Sequence, residues 1–207
     1  MSRNILTTTS KWNQLLGRAL AISSLAALCI GLMPRAVADE SDHKTIVTFS
    51  GPVEIPGKAL PAGTYVFKLL DSTGSRDIVQ IFDKDEKKLI ATLLAIPDYR
   101  MKPSDKPIIT FEERPAGTPE AIKAWYFPGD NYGEQFVYPH KRAVELAKNT
   151  NQNVLSMRDD MTKNMATSST SANAADIKAM QNTDVTGVSP TGAPVDLVII
   201  VTTKPQQ

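Results

Sequence analysis

From Thr45 to Tyr138 short β-branched and aromatic runs alternate with clusters of Pro, Gly, Asn and Asp. No helical pattern long enough to serve as a crossover between parallel strands interrupts them. Runs spaced this way must pair with one another, which restricts the chain to an antiparallel β domain. Thr45–Phe49 reads as the first strand. In Ile55-Pro56-Gly57-Lys58, Pro stands at i+1 and Gly at i+2, as a type II turn requires, so Gly57 is expected at positive φ. Leu60-Pro61-Ala62-Gly63 suits a type I turn. Thr64–Leu69 follows as a strand with Tyr65, Phe67 and Leu69 on one face.

Residues 71–75 turn the chain into Ile78–Phe82, and the Asp83-Lys84-Asp85-Glu86 cluster turns it into Leu89–Ile96. That last run is apolar on both faces except at Thr92, so it is expected at the centre of a sheet. Ile108–Glu112, Ala121–Phe127 and the shorter Phe136–Tyr138 complete the set. The expected fold is mainly β, an antiparallel β-sandwich of about seven strands with one short C-terminal helix and a flexible tail. The helix spans His140–Lys148, with Pro139 in its first turn, Val144 and Ala147 on one side and Asn149 at its C-terminal end. Val154-Leu155 is expected to return briefly to the sheet.

The chain of 207 residues divides by composition. Before Asp39 there is no acidic residue, while Arg3, Lys11, Arg18 and Arg35 flank an uncharged run from Ala19 to Met33, followed by Ala36-Val37-Ala38. A basic start, a short apolar run and small residues before a cut make 1–38 a cleaved signal peptide. The run is too short to span a bilayer, so no permanent membrane anchor is expected after cleavage, and the location is periplasmic or extracellular. It lacks the interspersed Arg of a transit peptide, and Leu28 before Cys29 argues against lipid attachment. The β-sandwich domain is then 44–156, a flexible polar linker 157–193, and an apolar C-terminal strand 194–203. Val195–Val201 admits two readings: a strand completing the same sheet, or an edge offered to a partner. After cleavage 19 basic and 22 acidic side chains remain and no cysteine. A charge this close to zero gives no case for a nucleic-acid partner, and stability must come from the core without disulfides.

No chemistry-bearing constellation stands out. There is no Gly-x-Ser-x-Gly elbow, no cysteine nucleophile after cleavage and no His-x-x-x-His pair; His43 and His140 read as surface residues. Gly129 and Gly133 lack the Lys-Ser/Thr of a phosphate loop, Asp83–Glu86 reads as a solvated hairpin tip, and Glu112 and Glu113 point to opposite faces of a strand. No metal or cofactor is expected. The unusual stretch is 125–138, which holds six of the 13 aromatic residues. Pro128, Gly129, Asp130 and Asn131 make it a loop that displays Tyr132 beside Asp130, Asn131 and Glu134, a combination suited to a sugar or peptide. The competing reading places Trp125, Phe127, Phe136 and Tyr138 in the sandwich core. The function expected is an exported, non-enzymatic β-sandwich module, binding or envelope-associated, with a glycan or envelope protein as partner. The alternative is a carbohydrate-active enzyme or glycan-binding module using the aromatic loop 125–138.

The segment Ile55-Pro56-Gly57-Lys58-Ala59-Leu60-Pro61-Ala62-Gly63-Thr64-Tyr65 resembles the turn and strand of prealbumin-like and carboxypeptidase-regulatory-like sandwiches. Together with Trp125–Gly129 and Arg142–Ala147, it also looks like a group of uncharacterised exported bacterial β-domain proteins, over about residues 44–156. The resemblance implies a sandwich and brings no activity or functional residue with it.

Overall fold

A computed structural model describes residues 43–70, 76–112, 118–165 and 173–197. The segment expected to be an export leader, the turn at 71–75, residues 113–117 with Glu113, the centre of the expected linker at 166–172 and the apolar residues beyond Leu197 lie outside the described residues. In chain order the strands are β1 (Lys44–Phe49), β2 (Val53–Ile55), β3 (Lys58–Leu60), β4 (Gly63–Leu70), β5 (Asp77–Asp83), β6 (Leu89–Tyr99) and β7 (Ile108–Glu112). After them come β8 (Glu120–Tyr126), β9 (Tyr132–Phe136), β10 (Tyr138–Pro139), helix α1 (His140–Thr150) and β11 (Val154–Met157). A 3-10 turn (Asp159–Met161), α2 (Thr162–Met165), α3 (Ala174–Gln181), β12 (Val185–Val188) and β13 (Pro194–Val195) complete the set.

The fold is mainly β with two sheets and few helices, the class that the strand–turn pattern predicts. The larger sheet runs β1-β4-β5-β6-β9-β8-β2-β3, with β7 on the other side of β8. Its pairs are antiparallel except β2 with β8. β6 is central, as its two apolar faces require, and even Thr92 is buried there. The Asp83 tip closes as a turn: its carboxylate accepts from the Lys87 and Lys88 amides at 2.8 and 3.1 Å. Gly57 has φ 84° between β2 and β3, as the Pro-Gly order demands.

This sheet folds back across its own inner face. β1 and β8 are not neighbours, yet Trp125 Nε1 donates to Thr45 Oγ1 at 3.1 Å. The Phe67 ring of β4 meets Trp125 and Phe136 edge-on, at centroid distances of 5.8 and 6.5 Å. Trp125, Phe127, Phe136 and Tyr138 are all buried, so most of the aromatic stretch builds the core. Each large apolar side chain taken fully out of water contributes about 1.5–3 kcal/mol, and β4, β5 and β6 bury Phe67, Ile78, Ile81, Leu89, Leu93 and Leu94 completely.

The smaller sheet, β10-β11-β12-β13, adds Leu155, Met157 and Val185 to the same core. α1 buries Ala143, Leu146 and Ala147 while Val144 stays half-exposed, and its left-handed C-cap is Asn151 rather than Asn149. Arg142 clamps the helix to β2, with Nε and Nη2 donating to the two Glu54 carboxylate oxygens at 2.5 and 2.7 Å.

In the stretch read as a flexible polar linker, the described residues carry ordered elements. Met165 and Met180 are fully buried, and α2 and α3 lie against β6 and β5. Asn173 caps α3 by accepting from the Ala175 amide at 2.9 Å. β12 pairs with β11, so the sheets extend past residue 156, and Pro194-Val195 of the expected last strand pairs with β12. In its described parts, Met165, Ile177, Met180, Val185 and Val188 anchor a stretch whose average composition is polar.

Candidate binding rim and buried carboxyl pair

At one end of the inner face β6 finishes and β9 begins, and Tyr99 lies opposite Tyr132 in the ladder. The segment expected to be a display loop is therefore half strand, and only 127–131 form its loop. Asp130 organises that loop: its carboxylate accepts from the Asn131 and Tyr132 amides at 2.6 and 3.2 Å. Gly129, at φ 81°, donates to the Ser104 carbonyl at 2.7 Å, and the Arg100 amide donates to the Asn131 carbonyl at 2.8 Å. Asp130 and Asn131 are exposed at the tip, and Asp130 spends its carboxylate on the turn.

Four rings line this end. His43 stacks on Phe127 at 4.1 Å, Phe127 lies 5.4 Å from Tyr132, and Tyr132 meets Tyr99 edge-on at 5.4 Å. Tyr99 is 60% exposed, so a large ring stands in solvent beside half-buried Tyr132, and Met101, two residues further along the chain, is 65% exposed. Leaving them there forfeits burial energy that the core collects elsewhere.

Glu134 is not displayed with Asp130, Asn131 and Tyr132. Strand alternation puts Tyr132, Glu134 and Phe136 on the inner face, and Glu134 is fully buried opposite Trp125 and Pro97. It faces the Asp77 carboxyl of β5 and the Tyr132 hydroxyl, which donates to Asp77 Oδ2 at 3.1 Å. Ionised, Glu134 could look only to the Tyr132 hydroxyl for a donor, and that hydroxyl is given to Asp77; protonated, Glu134 becomes the donor toward Asp77. Burial first, then the Asp77 charge, push its carboxyl up to about 8. Burial, and then the Glu134 carboxyl, push the Tyr132 hydroxyl well above its ordinary range, so it stays a donor.

Behind the rim the outer face is locked. Tyr126 donates to Asp98 Oδ2 at 2.5 Å, and Arg100 lies 5.3 Å above the Tyr126 ring. This crossing requires Gly133, because a Cβ there would stand 2.5 Å from both the Trp125 carbonyl and Tyr126 Cδ1. Burial, reinforced by Asp98, pushes the Tyr126 hydroxyl upward.

Elsewhere His140 is exposed at the start of α1, with its Nδ1 3.1 Å from the buried Ser156 hydroxyl beside Asp159 and Asp184. Among the described residues no group of three His, Cys, Asp or Glu side chains is placed to hold a metal ion. Sequence reasoning brought out Tyr132 and missed Tyr99 and Asp77. The signal for Glu134 was available in the alternation Tyr132-Gly133-Glu134-Gln135-Phe136, which sends Glu inward with its aromatic neighbours. No known family model, curated protein or solved structure matches the chain.

Proposed function

We propose that the chain is an exported, non-enzymatic β-sandwich module of the cell envelope or its surroundings that works by binding. Its ligand lies against the rim of Tyr99, Met101, Asn131 and Tyr132. The observation that carries this reading is the edge-on Tyr99–Tyr132 pair, whose outer ring stands in water on the rigid end of a central ladder. An exposed ring fixed by backbone pairing offers a flat apolar face at little entropic cost, which is what a sugar ring stacks on. The export part rests on the leader at 1–38. A glycan and peptidoglycan binding screen with residues 39–207 tests the reading. Binding abolished by Tyr99→Ala supports it, and binding unaffected by that change overturns it.

The Asp77–Glu134 pair favours a second reading, a carbohydrate-active enzyme, because a carboxyl held protonated near neutral pH is what a general acid needs. Against it, both groups are buried and the hydroxyl of Tyr132 sits on them. Hydrolysis of chromogenic glycosides, lost in both Asp77→Asn and Glu134→Gln, would establish this reading over the first.

A further inference from the structure

Glu134 poses a question of charge. It is completely buried, and neither carboxylate oxygen has a hydrogen-bond partner. The charges that reach it are acidic: Asp77 from β5 and Asp98 from β6, with the Tyr132 phenol on its own strand. His43, ahead of β1, faces Tyr132 at 6.2 Å. Arg100, a cation of the rim, lies instead over the Tyr126 ring on the outer face. The region thus combines two inward carboxyls, one of them unpartnered, with the rings of His43, Phe127, Tyr132 and Tyr99. A hard metal ion takes six or more oxygen ligands, whereas Asp98 gives its carboxylate to Tyr126 on the outer face and no group of three His, Cys, Asp or Glu among the described residues is placed to hold one. Ring faces with carboxylates are the surroundings an organic ammonium takes.

We propose that the ligand of the rim carries a primary ammonium, which displaces the Tyr132 hydroxyl and lies between Asp77 and Glu134 while the ring that bears it stacks on Tyr99. The class is an amino sugar. This inference rests on the rim reading and deepens it. Tyr132 stands nearer the end of the ladder than Glu134 on the same face, so its ring must turn aside for the ammonium to reach the pair. The ammonium supplies the donors that an ionised Glu134 lacks. Entry of one positive charge therefore releases the Glu134 proton to solvent, and below about pH 8 the binding is coupled to that release.

Titration calorimetry of the purified protein at pH 6.5 with glucosamine and with N-acetylglucosamine, in two buffers of different ionisation enthalpy, tests this. The expected result is glucosamine at least tenfold tighter, with a net proton released in wild type. In Glu134→Gln the preference falls below twofold and the release disappears. Asp77→Asn reports on the same site if Glu134→Gln does not fold. Equal affinity for the two sugars overturns the inference and leaves the rim reading standing. No binding of either sugar removes the inference together with the sugar reading of the rim. A preference that persists in the folded variant, or comes without proton release, places the ammonium elsewhere and overturns it as well.

Discussion

Replacing Glu134 with Gln keeps the shape of the side chain and removes its ability to ionise. In the fold the carboxyl stays protonated up to about pH 8, whereas in the unfolded chain it loses its proton above its ordinary value of 4.5. Because the folded value is raised, the folded state holds a proton through this window that the unfolded state has released. Stability from this site is therefore greatest below 4.5, falls as pH rises toward 8, and levels off above it. The slope is about 1.4 kcal/mol per pH unit, so by pH 7 wild type has given up on the order of 3 kcal/mol. Glutamine has no such slope, and it can donate to Asp77 as protonated Glu134 does. Urea unfolding of both proteins at pH 4.5, 6, 7 and 8 measures the difference, in which contributions from other groups cancel. The variant should be about equal to wild type at pH 4.5, about 3 kcal/mol more stable at pH 7 and about 4 kcal/mol more stable at pH 8. A difference that does not change with pH, or that grows in favour of wild type as pH rises, would refute a buried, protonated Glu134.

Gly133→Ala should destabilise by about 3 kcal/mol or prevent folding, because the contacts a Cβ meets are the Trp125 and Tyr126 backbone as well as a ring; thermal unfolding checks it. Trp125→Ala should cost about 3–5 kcal/mol as a core truncation that also leaves the Thr45 hydroxyl without its donor. Tyr99→Ala should leave the urea midpoint within about 0.5 kcal/mol of wild type, since its ring is mostly in solvent. Gly57→Val should cost at least about 1 kcal/mol from positive φ alone, read from the same curves.

What the sequence discloses follows the length and strength of each local signal. β5 and β7 fall where β-branched runs between turn residues place them, and β6 sits at the centre because both its faces are apolar. Two-sided signals fail where the run is short: β2, β3 and β12 have three or four residues and take their order from partners distant in sequence. α3 is only faintly marked: Asp176–Gln181 reads as a turn or two of helix, marginal on its own, and the Asn173 cap and the buried Met180 extend and anchor it. The rim was half legible. Pro, Gly, Asp and Asn mark its turn, and Tyr132 follows them. That Tyr99 stands beside Tyr132, and Asp77 beneath it, depends on the register of β9 and β6 and on the position of β5, which no local pattern encodes.

Chemical-shift mapping of the amide spectrum, as a glycan from the binding screen is titrated in, tests the central claim most directly. Binding at the rim predicts perturbed amides at 99–101 and 131–132, with the indole of Trp125 unmoved. Shifts confined to the cleft of about 440 Å³ beside His140 and Ser156, or absent at the rim while the glycan binds, would contradict it.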